Sequence, residues 1–246
     1  MPATEAQLLE MFSSIQGEGT WLGRRQVFIR FAGCNRACAY CDTPVEPADY
    51  CRVEKFPGLG DFEKIPNPVS LAEIKTILTR WLETVPGAHH SLSLTGGEPL
   101  LHWRLLREWL PDLRSLLPIY LETNGTLPQA LSKLLPWIDY VAMDIKLPSL
   151  TQEAATWEEH GEFLCLAGGG KGCVKLVIDR RADGEEMMRA ACMAAAQAPF
   201  LPLILQPCTG GEPLSAPEIL RLQGKLAEVH PDVRVIPQMH PMLGLL

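Results

Sequence analysis

The chain has 246 residues, 47% hydrophobic and 21% charged, with a formal net charge of −7 at neutral pH. That size and apolar content suit a globular protein of one domain, 1–246, and the acidic balance without a Lys/Arg cluster argues against a direct nucleic-acid partner. No apolar run reaches membrane-spanning length and Met1–Glu10 carries no secretory pattern, so the eight cysteines are expected in a reducing cytoplasm, as metal ligands or small core residues.

In chain order, Leu8–Ser14 reads as a strand running into the loop Ile15-Gln16-Gly17-Glu18-Gly19. Two glycines around an acid allow a backbone to approach a ligand closely, or simply make a hairpin turn. A second strand at 25–32 leads to Cys34-Asn35-Arg36-Ala37-Cys38-Ala39-Tyr40-Cys41-Asp42-Thr43. Residues 44–69 hold five prolines and read as a long irregular insert. From Ser70 the pattern becomes regular. Ser70 and Glu73 form a capping box opening a helix to about Val85, and Ser215 and Glu218 form another opening a helix to about Val229. Between them, strands near 91–94, 118–122, 138–143, 173–178 and 201–206 alternate with helices near 102–116, 128–135, 151–160 and 184–197, and a last strand follows at 233–236. Such alternation implies right-handed β-α units and a parallel sheet. Six units fit an α/β fold of the partial, splayed (β/α)6-type barrel better than a closed eight-unit one. No strand is followed by a G-x-G-x-x-G turn, so a Rossmann fold is not expected.

The unusual residues fall just after strands, on the face where parallel folds keep their active sites. They are the cysteine loop, Thr95-Gly96-Gly97-Glu98-Pro99, Glu122-Thr123-Asn124-Gly125, Asp144-Ile145-Lys146 and Gln206-Pro207-Cys208. Three thiols spaced C-x3-C-x2-C can hold three corners of a cubic iron–sulfur cluster and leave one iron open. A structural zinc site would want four closed ligands, and no fourth is evident. The glycines of Thr95–Pro99 would let a cofactor lie against the backbone, and Glu98 offers a carboxylate to an ammonium. Glu122 and Asn124 suit a ribose or an ordinary polar turn. Asp144 and Lys146 suit a cofactor contact or a salt-bridged strand end. Arg30, ending an apolar strand, needs an anionic partner, either a substrate carboxylate or a structural acid.

The cysteine spacing resembles the cluster loop of the radical S-adenosylmethionine (SAM) superfamily, and Gly96-Gly97-Glu98 its "GGE" segment. In that superfamily SAM chelates the open iron, and one electron from the cluster releases a 5′-deoxyadenosyl radical. Phe12–Gly19, Arg30–Cys34, Cys41–Thr43, Thr95–Pro99, Glu122–Gly125 and Ile236–His240 follow one another as in the 7-carboxy-7-deazaguanine synthase family. The resemblance implies a carbon–nitrogen lyase turning 6-carboxy-5,6,7,8-tetrahydropterin into 7-carboxy-7-deazaguanine and ammonia, on a 7-deazapurine or queuosine route to modified tRNA. It implies a [4Fe–4S] cluster on Cys34, Cys38 and Cys41, and Mg2+ on the hydroxyl of Thr43. SAM would lie against Tyr40, Cys41, Asp42, Gly96, Gly97, Glu98, Glu122, Asn124, Asp144, Ile145 and Lys146. Substrate would lie against Ile15, Gln16, Gly17, Glu18, Arg30, Thr95 and the terminal carboxylate of Leu246. No catalytic side chain is named, because the radical arises on the cofactor. A reductase or flavodoxin-type electron donor and a homodimer complete the expectation. Asp144-Ile145-Lys146 stands where Ser-Pro-Lys is usual and also resembles radical activating enzymes that act on a partner protein. That is the alternative function, and a non-catalytic iron–sulfur protein is a third.

Overall fold

The computed structural model describes residues 4–41 and 43–245. Its central element is a ten-stranded sheet. The strands are β1 (Leu8–Ile15), β2 (Arg25–Phe31), β3 (Tyr50–Glu54), β4 (Phe62–Pro66), β5 (Ser91–Gly96), β6 (Ile119–Thr123), β7 (Tyr140–Asp144), β8 (Gly172–Ile178), β9 (Leu203–Pro207) and β10 (Val233–Val235). They lie in the order β10-β9-β8-β7-β6-β5-β2-β1-β3-β4, so the two end strands do not pair and the barrel stays open. From β2 through β10 all neighbours are parallel, and β1 returns antiparallel beside β2. The helices α1 (Leu71–Thr84), α2 (Trp103–Leu116), α3 (Pro128–Leu134), α4 (Pro148–Thr151), α5 (Trp157–Ala167), α6 (Gly184–Gln197) and α7 (Ala216–Ala227) fill the crossovers. Six β-α crossovers in one open sheet match the expected splayed barrel.

Strand side chains alternate between two environments. One face buries Val27, Ile29, Leu92, Leu94, Leu121, Met143 and Leu176 against helix residues such as Leu78, Trp81, Leu110, Leu131 and Phe163. The other face looks into the barrel. At its lower end Tyr120, Ala142, Cys173 and Ile204 pack together, with Trp21 and Tyr140 against them. Above them the inward residues turn polar: Gln26, Ser93, Thr95, Asp144, Lys175 and Gln206 are buried and Glu122 is partly buried. The capping boxes form as expected. Glu73 accepts from the Ser70 amide at 2.9 Å, and Glu218 from the Ser215 amide at 2.7 Å.

Two expectations change. Residues 44–69 are not irregular throughout, because β3 and β4 make an antiparallel hairpin whose β3 lies parallel beside β1. Its prolines sit in the flanks, the turn and the strand end, while Cys51 and Val53 supply the buried alternation. Buried Glu54 shapes the turn by accepting the amides of Ser13, Gly58 and Gly60 at 2.9, 2.9 and 2.7 Å. The helix expected near 151–160 splits into α4 and α5. Gln152, at φ 60°, ends the first, and the intervening residues are occupied in holding the cysteine loop.

Candidate active site

The cysteine loop is held in shape by its neighbours. The Cys41 amide donates to the Cys38 carbonyl at 3.0 Å, which makes the C-x2-C segment a tight turn. The Ala39 amide donates to the Thr151 carbonyl at 3.1 Å, and the Ala37 amide to Glu153 Oε1 at 2.9 Å. Arg36 Nε pairs with Glu153 Oε2 at 2.9 Å. All eight cysteines are free thiols. Burial pushes the Cys34 thiol up, and that of Cys38 to about 11, so each would have to shed a proton to bind a metal. Among the described residues, no three His, Cys, Asp or Glu side chains gather as a single-ion site.

Behind this loop lies the Thr95–Pro99 turn. The Gly97 amide donates to the Phe31 carbonyl at 3.0 Å, and the Glu98 amide to the Gly33 carbonyl at 2.9 Å. A Cβ on Gly97 would overlap the Gly33 carbonyl, and one on Gly96 (φ +114°) would strike the Phe31 backbone. The glycines therefore let the two loops touch. Glu98 does not line the cavity. It is fully buried and accepts from the Leu100 amide (3.0 Å), Thr123 Oγ1 (2.9 Å) and the Asn124 amide (2.8 Å), and burial raises its carboxyl to about 6. Ile145 is likewise a core residue, 1% exposed. Asp42 and Leu246 lie outside the described residues.

The other expected residues converge on one cavity of about 490 Å3. Cys34, Cys38, Tyr40, Cys41, Thr43, Gly96, Gly97, Asn124, Asp144 and Lys146 line its upper side. Ile15, Gln16, Gly17, Glu18, Arg30, Thr95 and Glu122 line the same cavity. Asn124 donates through Nδ2 to Asn35 Oδ1 at 2.9 Å, with Cys34 Sγ at 3.9 Å. Lys146 donates to Asp144 Oδ2 at 2.8 Å and to the Tyr40 hydroxyl at 3.2 Å. Burial alone would lower the Lys146 pKa, yet the charge of Asp144 holds it well above the usual lysine value. Asp144 Oδ1 is buried without a protein partner, which leaves one carboxylate acceptor in the wall for a ligand.

On the floor, Glu122 gathers three donors: Gln16 Nε2 at 2.8 Å, Ser93 Oγ at 3.1 Å and Thr95 Oγ1 at 2.9 Å. Glu18 pairs with Lys175, a residue that sequence reasoning missed, and accepts from Gln238 Nε2 at 2.7 Å. Burial raises the Glu18 pKa, but Lys175 outweighs it and the carboxyl falls to about 2. The tail closes over this loop. The Met239 amide donates to the Gly17 carbonyl at 2.9 Å, and a Cβ on Gly17 would overlap His240. Arg30 is paired with Glu10 at 2.8 Å, so the structural acid exists, while the arginine still lines the cavity. Lys175 was detectable as the lone charge in the apolar run Cys173–Ile178, on the inward register. Glu10 was likewise the lone charge in Leu8–Ile15, and Gln206 stood at a strand end on the active face, whereas Gln238 carried no such signal.

No helix among the described residues is long and apolar enough to cross a membrane. The Radical SAM superfamily model matches residues 28–163. A 7-carboxy-7-deazaguanine synthase from Geobacter sulfurreducens is 44% identical over 245 residues, covering 98% of both chains. One from Archaeoglobus fulgidus is 34% identical, covering 98% of this chain and 99% of its own. The crystal structure of QueE from Escherichia coli shares the fold at a TM-score of 0.61 and 20% identity, over 95% of this chain and 94% of that one. The chain therefore belongs to the 7-carboxy-7-deazaguanine synthase family of the radical SAM superfamily.

Proposed function

We propose that the chain converts 6-carboxy-5,6,7,8-tetrahydropterin into 7-carboxy-7-deazaguanine and ammonia, within a queuosine-type 7-deazapurine pathway. The observation that carries this reading is the meeting, in one cavity, of the three-cysteine loop with an anion-reading arginine and a hydrogen-bonding floor. The radical SAM family brings a [4Fe–4S] cluster and SAM, and the residues present fit both. Three free thiols share one turn, and an unpartnered Asp144 oxygen waits in the adjoining wall. When bound, that pair supplies the abstraction of a hydrogen atom from C6 of the pterin.

The chain's own residues bind, orient and exclude water. Cys34, Cys38 and Cys41 hold the cluster. Tyr40, Cys41, Gly96, Gly97, Asn124, Asp144 and Lys146 face SAM, and Glu98 and Ile145 support it from behind; Asp42 keeps the role the resemblance implies. Arg30 pairs with the substrate carboxylate. Gln16 meets the ring's polar edge together with Ile15, Gly17, Glu18 and Thr95, and Glu122, expected against SAM, is assigned to that edge as well because it is bonded to Gln16. The packed lower end around Trp21 and Tyr120 keeps water from entering beneath. The Thr43 hydroxyl would offer Mg2+ a hard oxygen donor beside the substrate carboxylate, and the ion would there neutralise developing negative charge. The tail serves the substrate side of the cavity, a reading supported by the docking of Met239 on Gly17. A flavodoxin or reductase delivers the electron, and the enzyme works as a cytoplasmic homodimer. Anaerobic incubation of cluster-loaded protein with reductant, SAM and the carboxypterin tests the reading by mass analysis. A product lighter than the substrate by one ammonia is expected. SAM cleavage with the pterin intact would refute it.

A further inference from the structure

Among the cavity residues without a part in that scheme is Glu10. Glu10 of β1 stands opposite Arg30 in the antiparallel register with β2, and opposite Arg52 in the parallel register with β3. Its Oε1 accepts from Arg30 Nε at 2.8 Å, and its Oε2 lies 3.4 Å from Arg52 Nη1. Arg52 is anchored further out, its guanidinium carbon 4.5 Å from the ring centre of Phe62 on β4. Four side chains thus run in line from the hairpin into the cavity.

This line divides the donors of Arg30. Nε is committed to Glu10, and among the described residues no protein acceptor bonds the two Nη groups. The guanidinium carbon lies 5.6 Å from the ring centre of Phe12, which is itself stacked on Phe28 at 5.0 Å. A carboxylate can approach an arginine side-on through Nε or end-on through the two Nη groups. With Nε occupied, the end-on fork remains. Direction is the larger effect, and Arg52 limits what Glu10 costs in charge. Glu10 and Arg30 alone would form a neutral pair with little pull on an anion, whereas two guanidiniums around one carboxylate keep a net positive charge. Glu10 and Arg30 are 13% and 21% exposed. Arg52, which carries the excess charge, is 47% exposed and more strongly screened, so it acts on Arg30 mainly by holding Glu10 in place.

We propose that Glu10, braced by Arg52, is a positioning residue that presents the end-on fork of Arg30 to the substrate carboxylate. The proposal rests on the reading of Arg30 given above. It also makes the β3–β4 hairpin a brace for substrate selection.

The test measures equilibrium binding to anaerobic, cluster-loaded protein with SAM and no reductant. Two ligands are compared, the carboxypterin and the same tetrahydropterin without its carboxylate. Glu10→Ala is expected to weaken carboxypterin binding about tenfold, with Glu10→Gln intermediate. Binding of the ligand lacking the carboxylate should not move, and this serves as the internal control for folding, beside cluster absorbance. In an Arg30→Ala background, Glu10→Ala should add less than about threefold, since it acts through that arginine. Equal weakening of both ligands, or full multiplication of the two losses, would overturn the proposal and leave Glu10 a sheet residue. Undiminished carboxypterin binding by Arg30→Ala would instead overturn the reading of Arg30, and the proposal with it.

Discussion

At the rim of the cavity Cys34, Cys38 and Cys41 fall within eight residues and keep their turn through bonds to the Thr151–Ala154 segment, whereas on the floor Glu18 meets Lys175 across 157 positions of sequence. The rim is partly exposed and carries its chemistry on a detachable group. The floor is buried, and its charges are neutralised only once β1, β8 and the tail have come together. Substitutions at the rim should therefore remove function and spare the fold, while those on the floor should remove both.

The largest effect tests the rim half of that contrast. Cys34→Ala, Cys38→Ala or Cys41→Ala should each abolish the cluster's visible absorbance, yet leave the thermal midpoint of cluster-free protein near the parent's. Cys165 and Cys192, exposed on α5 and α6, should be replaceable without loss of the cluster. A Cys38 variant that still loads a cluster and cleaves SAM would break the assignment.

The floor should respond in the opposite way. Lys175→Met strands an ionised Glu18 in the interior, and such unpaired charges cost on the order of 3–5 kcal/mol. The double variant Glu18→Gln/Lys175→Met should recover much of that in urea titrations. The pH response follows from the sign of the shift. Glu18 titrates at about 2 in the fold against an ordinary 4.5, so its contribution is complete above 4.5 and lost as pH falls toward 2. Removing Lys175 should flatten that acid limb. An unchanged limb would mean that the pair does not anchor the floor.

Glu98 sharpens the contrast, being buried beneath the rim. Its folded carboxyl lies near 6, above the ordinary 4.5, so its contribution is present below 4.5 and lost as pH rises through 6. Relative to Glu98→Gln, the parent should gain up to about 2 kcal/mol between pH 7 and 4.5. A parallel pair of pH curves would contradict the burial of that charge. The smallest effect belongs to Thr43, a single hydroxyl. Thr43→Ala should reduce the stimulation of turnover by Mg2+ several-fold and leave cluster absorbance untouched. Indifference of the parent enzyme to chelator would remove the metal from the scheme.

The same contrast explains what could be read from the chain. The rim was legible because its residues are contiguous and each lies just past a strand whose apolar run is unmistakable, as in Gln26–Phe31 or Leu92–Leu94. The role of Glu98 was not, since its acceptance of the Leu100 and Asn124 amides depends on how two turns pack. On the floor, Glu122 and Gln16 were visible through their neighbours, but their mutual bond spans 106 positions. The hairpin escaped notice because five prolines mask ten strand residues, and only the pairing with β1 rewards their alternation. Nothing local in Leu8–Ile15 distinguishes Glu10 as a partner for two arginines.

The most direct measurement follows a label from the floor to the rim. Carboxypterin deuterated at C6 is turned over anaerobically by the cluster-loaded enzyme, and the nucleoside part of the SAM pool is examined by mass spectrometry. If substrate and cofactor share this cavity as described, deuterium appears at the 5′ carbon. Formation of 7-carboxy-7-deazaguanine with a deuterium-free cofactor would contradict the account.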